Sequence, residues 1–144
     1  MTIVRQLLQQ KPPVVHTIGP NDTVYDAIAK MAEHDIGSLV VMDGEKLVGI
    51  ITERHYARNV VLKGKASPTT PVRDVMERRV ICARPDQTVE QCMAIMSQKR
   101  VRHLPVLEGK KVIGIISIGD LVKSIIGEQR FIIDQLEHYI QGSA

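Results

Sequence analysis

The chain has 144 residues, of which 44% are apolar, 24% are charged and only 3% are aromatic, a composition typical of a globular protein with an aliphatic core. Nineteen Lys and Arg against sixteen Asp and Glu give a net charge of +3 with both signs interspersed, and so small a charge with so few aromatic rings disfavours nucleic-acid binding. No apolar run reaches the roughly 18 residues of a membrane span and the N-terminus lacks the apolar core of a signal peptide, so a cytoplasmic location is predicted.

The first predicted elements are a short lead-in helix and a longer amphipathic helix. The lead-in helix is "VRQLL", residues 4–8. In "NDTVYDAIAKMAEHD" an apolar stripe recurs at the i, i+3, i+4, i+7 spacing of one helix face, at Val24, Ala27, Ile28 and Met31. Thr23 precedes the stripe as an N-cap, with Asp26 three residues later as the weaker kind of capping-box partner.

A hairpin and a second helix follow. The runs "SLVVM" and "KLVGIIT" are rich in Val and Ile and are joined by "DGEK", which predicts two neighbouring strands around a glycine turn. A second helix, "ERHYARNVVLK", begins after Thr52. The Gly, Ser, Thr and Pro content of residues 63–71 then predicts a linker.

The rest of the chain repeats this unit. Shifting the sequence by 65 residues aligns 15–61 with 80–126 without a gap, and 13 of the 47 pairs are identical, including the "GII" of 49–51 and 114–116. The second copy has a lead-in "VRDVM", a helix from Val89 behind the N-cap Thr88, a hairpin, and a helix after Ser117. Pro105 lacks an N–H, so its strand is predicted to be an edge or to end there.

The repeat predicts the fold class and the domains. The class is α/β (α+β), with two β-α-β-β-α units, each carrying a three-stranded sheet, packed about a pseudo-twofold axis that creates two related pockets. The predicted divisions are 1–62 for the first motif with its lead-in helix, 63–71 for the linker, 72–127 for the second motif and 128–144 for a C-terminal amphipathic helix. Cys82 and Cys92 have no metal or redox spacing, and Cys92 is interpreted as a small core residue.

The predicted C-terminal helix carries an apolar stripe that needs a partner. Its residues are Phe131, Ile132, Leu136, Tyr139 and Ile140. Such a stripe is covered either by the protein's own core or by a second subunit, and the sequence leaves both open.

The repeated "GIIT" and "GIIS" place a hydroxyl residue at the start of a helix, where unpaired N–H groups favour an anion. In the second copy Asp120 follows Ser117 by three positions, and its carboxylate can accept two hydrogen bonds from a cis-diol such as ribose; alternatively the two residues only cap the helix. Arg102 and His103 either face a phosphate or form a solvated turn. His55 replaces the acidic residue in the first copy, either as an exposed first-turn residue or as the cause of unequal pockets.

Together, the two copies, the terminal G-x-x-[S/T]-x-x-D type motif and "RHLPV" before the second hairpin resemble a tandem pair of cystathionine-β-synthase (CBS) domains. The resemblance covers residues 1 to about 127, and the chain looks like the small stand-alone bacterial members of the family. It implies a sensor of adenosine ligands that often dimerises. The first motif ends in His55 where the family has Asp, which puts direct ribose recognition there in doubt.

The resemblance also implies two sets of ligand-binding residues. In the second pocket Ser117 and Asp120 would hold ribose, the adenine would be lined by Cys82, Ala83 and Val101, and Arg102 and His103 would lie near phosphate. The first pocket would consist of Thr17, Ile18, Ile36, Gly37, Ser38, Thr52 and Arg54. Two further predicted pocket residues are His55 and Pro105.

The predicted function is regulatory. The sequence contains no catalytic triad, phosphate-binding glycine loop or metal-spaced ligand set, so neither enzymatic activity nor a catalytic cofactor is predicted. The chain is predicted to bind AMP, ATP or NAD(H) between its motifs, to signal by a conformational shift to an unidentified downstream protein, and to form a homodimer. The alternative is a structural or protein-interaction dimer with vestigial pockets.

Overall fold

The computed structural model describes residues 1–141, and the last three residues of the predicted C-terminal helix lie outside the described residues. The helices are α1 (Val4–Gln9), α2 (Val24–His34), α3 (Glu53–Tyr56), α4 (Val89–Lys99) and α5 (Ile118–Ile140). The strands are β1 (Thr17–Ile18), β2 (Ser38–Asp43), β3 (Lys46–Thr52), β4 (His103–Glu108) and β5 (Lys111–Ser117). A π-helical turn (Ala57–Val61) continues α3, and 3-10 turns lie at Ser67–Thr69 and Val72–Asp74.

Both copies fold as predicted around an antiparallel hairpin, and they pack about a pseudo-twofold axis. The hairpins turn at Gly44 and Gly109, which both have φ of +62°, a value that favours glycine. Thr23 accepts a hydrogen bond from the Asp26 N–H at the start of α2, and Thr88 forms the full capping box with Gln91 at the start of α4. The predicted caps are therefore confirmed.

The two sheets differ at their first strand. In the first copy β1 runs parallel to β2 and completes three strands, whereas in the second copy only Ala83 bridges to Val106 beside β4. Pro105 explains the difference, because at the equivalent position Val40 donates its N–H to the His16 carbonyl at 3.4 Å. Pro105 has no such donor, so the predicted third strand of the second copy shrinks to one bridge.

Each lead-in segment packs against the copy that it does not precede. Val4 and Leu7 of α1 belong to the core of the second copy, whereas Val72, Val75 and Met76 belong to the core of the first. Sequence order assigns α1 to the first motif, and packing joins it to the second.

The exchange of lead-in segments explains the repeated glycine of "GII". A Cβ on Gly114 would lie 2.5 Å from Leu8 Cδ2, and a Cβ on Gly49 would lie 2.6 Å from Met76 Sδ. A Cβ at either position would force the lead-in side chain over the strand to move, which favours glycine there. The exchanged segments therefore tie the two copies together.

The helix predicted from residue 128 is the second half of α5, which passes through Gly127 without interruption. Its apolar stripe is exposed on the chain: Phe131 is 65% exposed and Tyr139 is 78% exposed. Cys92 is buried in the second core, as interpreted from the sequence. Within residues 1–141, no helix combines the length and apolar character that a membrane crossing requires.

Candidate functional site

Two clefts lie between the copies, and each joins the helix start of one copy to the helix-to-strand turn of the other. The larger, here called the Asp120 cleft, has a volume of about 850 Å³ and includes Ser117 and Asp120 from the second copy with residues 34–38 from the first. The smaller, the His55 cleft, has a volume of about 340 Å³ and includes residues 52–55 from the first copy with 99–103 from the second.

The structure groups the predicted site residues across the two copies and not within each copy. The copies face each other so that the turn after the first helix of one lies opposite the second helix of its counterpart. Six of the predicted residues line the Asp120 cleft: Ile36, Gly37, Ser38, His103, Ser117 and Asp120. The His55 cleft contains Thr52, Arg54, His55, Val101 and Arg102, and it shares Gly37 and His103 with its neighbour.

Five predicted residues lie elsewhere. Thr17 and Cys82 line a separate cavity beside the two hairpin turns. Ile18 and Ala83 are buried in the two cores, and Pro105 is buried in β4. These five residues do not line the two inter-motif clefts, so their role in ligand binding stays a prediction from the resemblance.

The Asp120 carboxylate stands at the start of α5, held by three contacts. Its Oδ2 accepts hydrogen bonds from the Ser117 N–H at 2.8 Å and from Lys11 Nζ at 2.8 Å, and the Asp120 N–H donates to Ser117 Oγ at 3.2 Å. Lys11 Nζ also donates to the Ile115 carbonyl at 2.7 Å. Both readings of the pair are thus compatible, because the carboxylate caps the helix and also faces the cleft.

The charge state of the Asp120 cleft follows from these contacts. Burial alone would raise the pKa of Asp120, but hydrogen bonds from Lys11 and Ser117 outweigh it and the pKa is lowered, so the carboxylate is ionised at neutral pH. Burial lowers the pKa of His103, against an opposing effect of Asp120, so that ring is held neutral. His16 and His34 stack at the rim with ring centroids 4.0 Å apart.

In the first copy His55 performs the capping role of Asp120. The Thr52 N–H donates to His55 Nδ1 at 3.2 Å, and the His55 N–H donates to Thr52 Oγ1 at 3.3 Å. Burial lowers the pKa of His55, opposed by Glu77 and reinforced by Arg54 and Arg58. The ring is therefore neutral and uses Nδ1 as an acceptor, which leaves the proton on Nε2.

Several cleft residues were missed by the sequence reasoning. Lys11 reaches Asp120 from the lead-in segment, and nothing in its local sequence pattern indicates this contact. In the His55 cleft the missed residues are cationic: Arg58, Arg79, Lys99 and Arg100. The run "KRVRH", residues 99–103, is a signal that points to a basic turn. Among residues 1–141, no group of three or more His, Cys, Asp or Glu is arranged to hold a metal ion.

Both copies match one protein family. The model of the CBS domain matches residues 4–61 and again residues 72–127. The chain belongs to the CBS domain family. As a tandem CBS pair it has the inter-motif clefts described above.

Similar CBS proteins include small stand-alone chains. A mitochondrial CBS domain-containing protein of Arabidopsis thaliana, CBSX3, is 42% identical over 127 residues, and the match covers 85% of this chain but 62% of that relative. A solved protein with CBS domains from Burkholderia ambifaria MC40-6 is 51% identical, with a TM-score of 0.86 over 89% of this chain and 96% of that one.

One solved neighbour was obtained with ligands. The CBS domain pair of protein MJ0100, in complex with 5′-methylthioadenosine and S-adenosyl-L-methionine, is 28% identical, with a TM-score of 0.76 over 89% of this chain and 98% of that one.

Proposed function

We propose that this CBS pair is a regulatory module that binds an adenosine-containing ligand, AMP, ATP or NAD(H), in the Asp120 cleft. CBS pairs are regulatory ligand-binding modules, and the pair of MJ0100 binds two adenosine compounds. The observation that carries the proposal is the ionised Asp120 carboxylate at the start of α5, in a cleft of about 850 Å³ lined by both copies. Because both copies line the cleft, a ligand there contacts both.

The chemistry of the Asp120 cleft suits a nucleoside. A cis-diol donates two hydrogen bonds to one carboxylate, and we take the net contribution of this charge-assisted contact as about 1.5–3 kcal/mol. Ile36, Ile113 and Ile115 supply apolar surface for a base. Arg5 and Lys11 supply positive charge for a phosphate, and Ser38 and Ser117 supply hydroxyl groups.

A ligand in the Asp120 cleft would contact the start of a long helix that extends away from the cleft. Asp120 lies in the first turn of α5, and the same helix runs to Ile140, about 35 Å in length at 1.5 Å per residue. A ligand that favours one orientation of the two copies shifts the population toward it, and the exposed end of α5 moves with the second copy. An unidentified downstream protein would read that movement.

We also propose that the chain forms a homodimer through the second half of α5. Phe131, Ile132, Leu136, Tyr139 and Ile140 are each more than half exposed, and such a contiguous apolar stripe is typical of an interface. Sedimentation or light scattering should give a dimer for the wild type and a monomer for Leu136→Glu, whereas Lys123→Glu, in the first half of the helix, should stay dimeric. A monomeric wild type would contradict the proposal.

Adenosine binding is tested first without any mutation. The purified protein is denatured and any released compound is identified by mass spectrometry. Thermal shifts are then measured with AMP, ADP, ATP and NAD, and with S-adenosylmethionine and methylthioadenosine for comparison with MJ0100. No released compound and no shift would favour the alternative, a structural dimer with vestigial pockets.

Asp120→Ala tests the residue that carries the proposal. Losing the carboxylate should weaken adenosine-ligand binding by roughly 10-fold to 150-fold, the equivalent of about 1.5–3 kcal/mol. Asp134→Ala is the matched control, because Asp134 lies on the exposed part of the same helix. If the affinity of a folded Asp120→Ala protein stays within twofold of wild type, Asp120 is only a helix cap.

The proposed role is regulatory rather than catalytic, with a nucleotide as ligand and not as a catalytic cofactor. The cytoplasmic location, the low expectation of nucleic-acid binding and the domain boundaries stay predictions from the sequence.

A further inference from the structure

The His55 cleft gathers an unusual amount of positive charge. Six cationic side chains line it, from both copies and the segment between them: Arg54, Arg58, Arg79, Lys99, Arg100 and Arg102. Only Glu53 and Glu77 oppose them. The excess of four positive charges in this one cleft is larger than the net charge of +3 on the whole chain, so the rest of the protein is close to neutral.

Within residues 1–141, none of these six cations forms an ion pair with a carboxylate. The ion pairs found among residues 1–141 join Arg5 to Glu108, Lys11 to Asp120 and Arg84 to Asp86, and they include none of the six. Oε1 of Glu77 accepts a hydrogen bond from the backbone N–H of Arg79 at 2.8 Å. Unpaired like charges around one cavity repel each other, and a multiply charged anion between them removes that repulsion.

The centre of the cleft also lacks the carboxylate found in its counterpart. His55 takes the place of Asp120, and its Nδ1 is engaged by Thr52. The neutral ring therefore presents Nε2–H as a donor to an anion, where a carboxylate would repel it. A ribose clamp is absent from this position of the described chain, while donors for phosphate oxygens are abundant.

We propose that the His55 cleft is a second, separate site that takes a phosphate chain with three or more negative charges, recognised through its phosphate oxygens and not through a ribose. Guanidinium groups match phosphate in a two-pronged geometry, and five of the six cations are Arg. The volume of about 340 Å³, against about 850 Å³ for the Asp120 cleft, fits a narrow chain better than a whole dinucleotide. The site goes beyond the proposed adenosine site and does not depend on it.

The phosphate chain has two possible sources, a free inorganic oligophosphate or the phosphates of a nucleotide. Titration calorimetry on the full chain distinguishes them, with sodium tripolyphosphate as the probe at 50 mM and 200 mM NaCl. We expect tripolyphosphate to bind, more weakly at the higher salt because exposed charges are screened. If ATP displaces it and AMP does not, the source is a nucleotide triphosphate; if neither does, the source is inorganic.

Variants locate the site. Arg54→Gln with Arg102→Gln removes one cation from each copy and should weaken tripolyphosphate binding by about 10-fold or more. Lys110→Gln with Lys111→Gln removes the same charge at the hairpin turn and should change it less than about twofold. Equal losses in the two double variants would overturn the proposal, because a diffuse charge effect would then explain the binding.

Two further variants separate this site from the adenosine site. His55→Asp keeps a capping residue at the helix start but adds a negative charge to the cleft, so tripolyphosphate should bind about 10-fold more weakly. Asp120→Ala should leave tripolyphosphate affinity within about twofold, even if it abolishes adenosine binding. Displacement of tripolyphosphate by adenosine alone, or by a single-stranded oligonucleotide at far lower concentration, would overturn the phosphate-chain site.

Discussion

Lys11 stands where an incoming diol must bind. Asp120 Oδ2 already accepts hydrogen bonds from Lys11 Nζ and the Ser117 N–H, both at 2.8 Å, whereas Oδ1 has no hydrogen-bond partner among residues 1–141. A diol that uses both carboxylate oxygens therefore competes with Lys11 for Oδ2. Lys11→Met should remove that competition while keeping an apolar stem of similar length.

The size of the effect follows from the exposure of the pair. The Lys11 and Asp120 side chains are 37% and 22% exposed, so their ion pair is worth about 0.5–1 kcal/mol rather than the value of a buried pair. Lys11→Met should thus raise the affinity for adenosine by about 2-fold to 5-fold and lower the Tm of the unliganded protein by about 1–4 °C. Adenosine is the probe because it carries no phosphate for Lys11 to attract.

The assay is titration calorimetry with adenosine, paired with thermal unfolding without ligand. Lys110→Met, at the exposed turn of the second hairpin, is the control and should change neither quantity measurably. A fall in adenosine affinity for Lys11→Met would refute the competition argument, because Lys11 would then be holding Asp120 in its binding position. Repeating the titration with AMP should give a smaller gain, since the lost ammonium also attracts phosphate.

Two predictions concern stability. Gly114→Ala should lower the free energy of unfolding by about 1–3 kcal/mol, since its Cβ would lie 2.5 Å from Leu8 Cδ2, and adding Leu8→Ala should not cost the full sum of the single changes in urea denaturation. Lys11 and Ser117 hold the pKa of Asp120 below its usual 3.8, so the ionised carboxylate stabilises the folded wild type above that pH. This contribution to the free energy of unfolding should be lost as the pH falls from about 3.8 through the lowered pKa. Asp120→Asn should flatten that part of the pH–stability curve; an unchanged slope would mean that other carboxylates account for it.

Local patterns made the elements predictable. The stripes of α2 and α4, their Thr caps and the glycine turns depend on residues within a few positions of each other, so the sequence alone contains the information. Repetition reinforced each prediction, because a helix or hairpin in one copy implied its counterpart 65 residues away. The continuation of α5 past Gly127 was harder to predict, because a glycine suggests a helix boundary. A single glycine costs a helix only about 1 kcal/mol, so α5 continues through it.

Packing between the copies was not predictable from the same patterns. Leu7 and Leu8 have the same apolar character whichever copy they cover, so only the folded chain shows that they pack on the second core. That each cleft combines residues of both copies was equally unpredictable, because the turn at Gly37 and the helix start at Asp120 are more than 80 residues apart in the sequence. A charge count along "KRVRH" shows a basic segment but not that Arg54 and Arg58 face it.

The two copies differ in the residue that caps their second helix, which is Asp120 in the second copy and His55 in the first. Both residues accept the N–H of the residue that precedes their helix, Ser117 at 2.8 Å and Thr52 at 3.2 Å, so the capping geometry survives the substitution. The charge of the capping residue differs, and so do its surroundings: Lys11 pairs with Asp120, whereas among residues 1–141 the cations around neutral His55 form no ion pair. This difference in charge is the basis of the proposal that the two clefts take ligands of different charge.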